Sequence, residues 1–267
     1  MKRASASAKI NLALVVGPRR EDGYHEVVTV LQRIALADRV EVEPAADVRV
    51  SGFRDDTLVR DALELLGGET RSCWHARIEK RIPVAAGLGG GSSDAAAALA
   101  LANETLAQPL PHERLHALAA QLGADVPFFL TDGPQLATGT GTDLEPLDLP
   151  QDFWIVLVLP RDAQKRATAD VYDAFDGGAG FAERRAALLA ALEAVRRPAD
   201  LAALPLNDLA TSPLADELVA AGAFRADVSG AGPAVYGLFV RERDATNAAC
   251  RARSSGRVWM TAPAWYG

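Results

Sequence analysis

The chain has 267 residues, 49% hydrophobic and 24% charged, with a formal net charge of −7. At about 150 residues per domain it holds one large domain or two modest ones, and the low-hydrophobicity, high-charge signature of disorder is excluded. The acidic balance argues against a general nucleic-acid or polybasic membrane binder, but not against an anionic ligand, because backbone amides bind phosphate whatever the net charge.

Lys2 and Arg3 open the chain, but Lys9 and Asn11 interrupt the apolar stretch that follows, which defeats a signal-peptide core. The longest strongly apolar run, 153–159, is far too short to span a bilayer. A soluble cytoplasmic protein is expected. Strands are expected over 10–16, 27–36 and 39–43, with Gly17-Pro18 as a breaker. Thr57 caps a helix expected to stop at Gly67-Gly68. Residues 74–81 alternate as a strand, and the alanine-rich run 95–107 is a helix by propensity. Leu115, Leu118, Ala119 and Leu122 fall at i, i+3, i+4 and i+7, giving a helix that Gly123 ends. Pro127 is expected to push Val126 out of helical geometry.

Residues 147–150 read as a linker. Beyond it come a strand (153–159), helices (169–175, 181–196, 213–221), two strands (224–228, 235–240), a helix (243–254) and a strand (258–261). Without the extra helices this is β-α-β-β-α-β, the ferredoxin-like order. Cys73 and Cys250 lack metal or redox spacing and read as unpaired thiols. His112 and His116 stand at i, i+4 without an acidic partner pattern and read as an exposed helix face.

The most informative segment is Pro83-Val84-Ala85-Ala86-Gly87-Leu88-Gly89-Gly90-Gly91-Ser92-Ser93-Asp94. A strand leads in and a helix leads out. Glycines let the backbone approach a ligand, and the helix start favours a negative group. Phosphate is the natural occupant. The GxxxxGK[ST] pattern is absent, because no lysine precedes the serines. A dinucleotide fold needs an acid at the end of a second strand, and Glu104 lies inside a helical stretch. The plain alternative is a glycine-rich turn with Ser92 or Asp94 as N-cap. Four glycines and two serines within residues 87–93 favour nucleotide.

This loop resembles the ATP-binding motif of the GHMP kinases (galacto-, homoserine, mevalonate and phosphomevalonate kinases). Ala8-Lys9-Ile10-Asn11-Leu12, Asp22-Gly23-Tyr24-His25-Glu26, Gly123-Ala124-Asp125-Val126-Pro127-Phe128-Phe129 and Ser229-Gly230-Ala231-Gly232-Pro233 follow in the family's order, over nearly the whole chain. The Tyr24-His25 and Asp125 motifs are the narrower ones and resemble members whose acceptor carries a cytidine diphosphate.

The resemblance implies an α+β, two-domain GHMP kinase fold. Residues 1–150 would form a ribosomal protein S5 domain 2-like, ATP-binding and catalytic domain, and 151–267 a ferredoxin-like C-terminal domain, with the site in the cleft between them. It implies ATP-dependent phosphorylation of an alcohol, with Mg2+ accompanying ATP, a small-molecule substrate, and no nucleic-acid or membrane partner. Lys9 and Asp125 match the catalytic pair: the aspartate accepts the hydroxyl proton, and the lysine orients it and stabilises charge. Tyr24 and His25 match the cytosine site, Tyr172 a second aromatic that sandwiches the base, and Thr168 and Asn11 polar substrate contacts. Alone, Tyr172 reads as core packing and Asn11 as a turn-edge amide. Lys80, on the strand entering the loop, would approach ATP; a solvated strand charge is the plain alternative. The 229–233 turn would close against the phosphate region. Asn207-Asp208 echoes a family pair, with no physical role evident from the sequence.

Ser7 stands where the family usually has proline, and 138–143 replaces a stretch that usually holds arginine and glutamate. Two other readings keep the fold: a kinase for a small alcohol of homoserine or mevalonate type, and a nucleotide-binding sensor without turnover. The aromatic motif argues against the first. The joint presence of Lys9 and Asp125 argues against the second.

Overall fold

The computed structural model describes residues 1–53, 57–163 and 168–264. Two compact units are present, and they interleave along the chain. One comprises Met1–Ala8, Leu36–Val84 and Gly89–Asp132; the other comprises Lys9–Ala35, Ala85–Leu88 and Gly133–Gly267. Two long strands, β1 (Lys2–Arg19) and β2 (His25–Ala45), run through both units. Residue 150 marks a different event: strands up to Pro146 belong to one sheet and those from Trp154 to another.

In the first unit β2 pairs antiparallel with β4 (Cys73–Glu79), Arg39 opposite Glu79 and Ala45 opposite Cys73. A short β3 (Arg49–Ser51) lies parallel on the far side of β4. Helix α1 (Thr57–Thr70) buries Val59, Ala62, Leu63 and Leu66, an i, i+3, i+4, i+7 stripe. It runs through Gly67-Gly68, where a stop was expected. Arg71, at φ +56°, takes the left-handed position instead. Helix α2 (Gly90–Asn103) is buried nearly all round, as its alanines allow. It starts five residues before the alanine run, so the loop's own glycines form its first turn. Helix α3 (His112–Leu122) ends at Gly123 as expected. Val126, however, is helical (φ −65°, ψ −43°), because Pro127 opens the 3-10 turn Pro127–Leu130. Proline fits a first helical turn, where its missing N–H has no partner to lose.

In the second unit the first half of β2 pairs with β5 (Gln135–Thr138), which forms a hairpin with β6 (Asp143–Pro146). No strand was expected there: each arm is four residues long, and Gly139 and Gly141 sit in the turn at positive φ. The second sheet is antiparallel, in the order β10-β7-β9-β8. Its strands are β7 (Trp154–Pro160), β8 (Arg225–Val228), β9 (Val235–Phe239) and β10 (Gly256–Thr261). Strand β7 is central, which explains its unbroken apolar run. Helices α4 (Thr168–Asp173), α5 (Phe181–Ala194) and α6 (Pro213–Ala220) lie between β7 and β8, and α7 (Glu242–Ala252) between β9 and β10. The expected ferredoxin-like order is present. Val156, Val158, Leu218, Val228, Val235, Phe239 and Ala245 form part of its core.

Candidate active site

Strand β1 carries Lys9 and Asn11 two residues apart, so both side chains leave the same face. Both are buried, Lys9 at 4% exposure. The Lys9 ammonium donates to Asn11 Oδ1 at 2.7 Å, Asn11 Nδ2 donates to Thr29 Oγ1 at 2.8 Å, and Thr29 donates to the Ala13 carbonyl. The Tyr236 hydroxyl donates to the Asn11 carbonyl at 2.9 Å. Full burial pushes that phenol up to about 12, so it remains a donor. Three side chains, Asn11, Thr29 and Tyr236, thus hold the orientation of one lysine. Thr29 and Tyr236 carried no motif and were missed in the sequence.

The glycine loop is tied to the same strand: the Lys9 amide donates to the Leu88 carbonyl at 2.9 Å. Gly87 has φ +78°, and a Cβ there would lie 2.1 Å from the Ser229 carbonyl oxygen. Only glycine fits, for both reasons. The 229–233 turn closes against this segment. Ser229 Oγ donates to the Gly87 carbonyl at 2.8 Å, and the Ala234 amide donates to the Ala86 carbonyl at 3.1 Å. After Gly89, helix α2 begins with no side chain capping it, and nothing lies within 4 Å of the position a Gly91 Cβ would take. The amides of a helix's first turn lack intrahelical partners, so this end is disposed to take an anion. Ser92 is half-buried on that turn and Ser93 is buried.

Lys80 is not a solvated strand charge. Its ammonium lies 2.6 Å from Asp38 Oδ2 and 2.7 Å from Asp94 Oδ2; the lysine side chain is 13% exposed and both carboxylates have no exposure. Burial pulls the lysine pKa down, but Asp94 and Asp38 outweigh it and hold the value above 10.5. Asp38 Oδ1 also accepts the Arg81 and Ile82 amides. The chain entering the loop and the helix leaving it are therefore pinned to one charge cluster. Asp94 stood within the glycine motif, but nothing in the sequence marked Asp38.

His25, at the start of β2, gives its Nδ1 to the Gly17 carbonyl at 2.9 Å. A carbonyl only accepts, so Nδ1 carries the proton and Nε2 is left as the acceptor of the neutral ring. The His25 ring lies 5.9 Å from Tyr172 and 6.0 Å from Phe175, centroid to centroid. Tyr172 and Phe175 pack on Leu14, Val16 and Val27. Tyr172 therefore has the core contacts its helical spacing suggested, and also faces His25. Phe175 was not singled out in the sequence. Tyr24 is 65% exposed, and Thr168 is exposed at the start of α4. Asp125 is half-buried, between the end of α3 and the 3-10 turn. It belongs to the first unit, whereas Lys9 belongs to the second.

Cys73 and Cys250 are free thiols. His112 and His116 meet edge to face at 6.1 Å. No helix among the described residues is long and apolar enough to cross a membrane.

Comparison with known proteins adds a second line. The family model described as GHMP kinases N terminal domain matches residues 57–133, and that described as GHMP kinases C terminal matches 185–258. A protein of Desulfitobacterium hafniense (strain Y51), named 4-diphosphocytidyl-2-C-methyl-D-erythritol kinase, is 40% identical over 96% of this chain and 93% of its own. One of the same name from Pelotomaculum thermopropionicum is 41% identical over 94% and 93%. A crystal structure titled 4-(cytidine 5'-diphospho)-2C-methyl-D-erythritol kinase superposes with TM-score 0.81 at 33% identity, covering 99% of this chain and 100% of that one.

Proposed function

The chain belongs to the GHMP kinases, and from that premise we propose that it is a kinase that transfers the γ-phosphoryl group of ATP to the 2-hydroxyl of 4-diphosphocytidyl-2-C-methyl-D-erythritol. The observation that carries this reading is full-length likeness to kinases of that name, together with matching chemistry at the site. Phosphoryl transfer asks a protein mainly for positioning and charge stabilisation. The glycine loop and the open first turn of α2 suit the ATP phosphates, and the hydrogen-bonded Lys9 supplies a fixed positive charge. Asp125 is assigned to the acceptor hydroxyl, whose proton it takes as the bond to phosphorus forms. Lys80, committed to Asp38 and Asp94, supports the loop that meets ATP.

The fit to Mg2+ is to an ion carried by ATP. Among the described residues no three acidic, histidine or cysteine side chains converge on one point, and Mg2+ in such enzymes takes most of its oxygens from phosphate and water. The Ser92 hydroxyl on the first turn of α2 would be the protein's oxygen donor. Bound there, the ion would neutralise phosphate charge.

The cytosine end suits His25. Its Nε2 lone pair accepts from an amino group such as the one cytosine presents, and the aromatic faces of Tyr172 and Tyr24 offer stacking surface. Tyr24→Ala and Tyr172→Ala should each raise the acceptor KM by roughly tenfold, the value of about 1–3 kcal/mol for a stacked base, with kcat little changed. Steady-state kinetics with the acceptor varied decide it, and an unchanged KM in both variants removes the base site.

The whole reading is tested by an ATP-coupled acceptor screen of the diphosphocytidyl compound against homoserine and mevalonate. Turnover is expected with the first alone. Turnover only with homoserine or mevalonate overturns the acceptor assignment. ATP binding without turnover on any acceptor favours a sensor.

A further inference from the structure

Asn207 lies outside every element that carries a site residue, yet its side chain is 4% exposed and fully engaged. Its Nδ2 donates to the Val228 carbonyl at 2.9 Å and to the Gly230 carbonyl at 2.7 Å, and its Oδ1 accepts the Leu209 amide at 2.9 Å. Its own amide donates to Asp227 Oδ2. Both amide hydrogens are thus spent on the 229–233 turn, one at its entry and one at its second residue.

The position of that turn matters because of what Gly230 touches. Gly230 has φ +56°, and a Cβ there would lie 3.4 Å from Asn11 Oδ1, 3.4 Å from the Gly87 carbonyl and 3.5 Å from Lys9 Nζ. Gly230 therefore lies beside the lysine with room for about one carbon between them, while the bonds from Ser229 to Gly87 and from Ala234 to Ala86 hold the turn on the glycine loop. The next residue, Asp208, fastens the other component: its amide donates to the Leu14 carbonyl, and its Oδ2 accepts the Val16 amide at 2.8 Å. One dipeptide thus grips the turn with its first residue and strand β1, the carrier of Lys9 and Asn11, with its second.

We propose that Asn207 is a positioning residue for phosphoryl transfer, whose amide fixes the Gly230 peptide against Lys9 and the glycine loop. The proposal rests on the kinase reading above. It predicts a loss in turnover beyond any loss in folding, because small displacements of groups around a reacting phosphoryl are costly.

The test is a mutant cycle of Asn207→Ser and Ser229→Ala. Asn207→Ser leaves at most one donor for two carbonyls. Ser229→Ala cuts the turn's bond to Gly87 and keeps Asn207 in place. Asn207→Ser should lower kcat by roughly tenfold to 10²-fold, while the acceptor KM stays within about twofold. The two changes should combine to much less than the product of their separate effects, since both act through one turn. A kcat within about twofold of wild type per folded molecule, or full additivity, overturns the proposal. If Asn207→Ser does not fold, Ser229→Ala alone must lower kcat, and an unchanged value overturns it. Calorimetric titration with a non-hydrolysable ATP analogue, without acceptor, separates this from the parent reading. A wild type that binds the analogue but turns over no acceptor counts against the kinase reading, whereas a wild type that turns over with an Asn207→Ser variant as active as itself counts against the positioning role alone.

Discussion

Asp125→Asn should lower kcat by roughly 10²–10⁴ while leaving ATP binding intact. The amide keeps the shape of the side chain and its place between α3 and the 3-10 turn, so folding is little disturbed. What it loses is a carboxylate, and with it the proton-accepting role proposed for this side chain. The nucleotide should be unaffected, because on the proposed reading its phosphates would be held by the backbone of the glycine loop and the uncapped start of α2. Single-turnover kinetics with saturating ATP and calorimetry with an ATP analogue read the two halves separately. A near-wild-type rate removes Asp125 from the chemistry, and a matching loss of nucleotide affinity reassigns it to binding.

The second large effect is on stability. Lys80→Met should destabilise the protein by about 3–5 kcal/mol, because it leaves Asp38 and Asp94 as buried carboxylates without their cation. At about 2–4 °C per kcal/mol for a chain of this size, thermal unfolding should begin roughly 10 °C lower. Adding Asp94→Asn to Lys80→Met should recover part of the loss, since it removes one stranded charge. A Lys80→Met protein as stable as wild type shows that the cluster does not support the fold. The same cluster sets an alkaline limit. The lysine value is raised on folding, so its contribution is complete below 10.5 and fades as pH rises through the higher folded value. Denaturant titrations between pH 9 and pH 12 should show wild type losing stability more steeply than the Lys80→Met variant.

Legibility in the sequence followed physical range. The ferredoxin-like order of the second sheet was readable because each element is a local pattern: an apolar run for β7, helical stretches, short strands between turns. The turn from the glycine loop into α2 was readable because its residues are consecutive. Where the reading fell short, the deciding interaction came from far along the chain. Helix α1 passes Gly67-Gly68 because its apolar stripe is buried against partners and Arg71 takes the terminal bend. The hairpin β5–β6 exists because β2 offers Leu31 and Thr29 as partners for Gln135 and Ala137. Lys80 was read as approaching ATP or as a solvated strand charge, because the pairing with Asp38 and Asp94 that engages it is not a local pattern. Asn207-Asp208 was visible as a motif, but its meaning lay in backbone atoms of residues 14–16 and 228–230.

The bonds that secure β1 have a consequence for synthesis. Val16 finds its acceptor in Asp208, 192 residues later, and the Asn11 carbonyl finds its donor in Tyr236, 225 residues later. A growing chain exposes Lys9 and its neighbours long before the groups that lock them have left the ribosome. Contacts of such long sequence separation form late and fold slowly. The strand bearing the lysine is thus among the first parts made and the last to be secured. A chain stalled or cleaved before residue 207 would carry an intact glycine motif but lack the bonds from Asp208 and Tyr236 that hold the strand beside it.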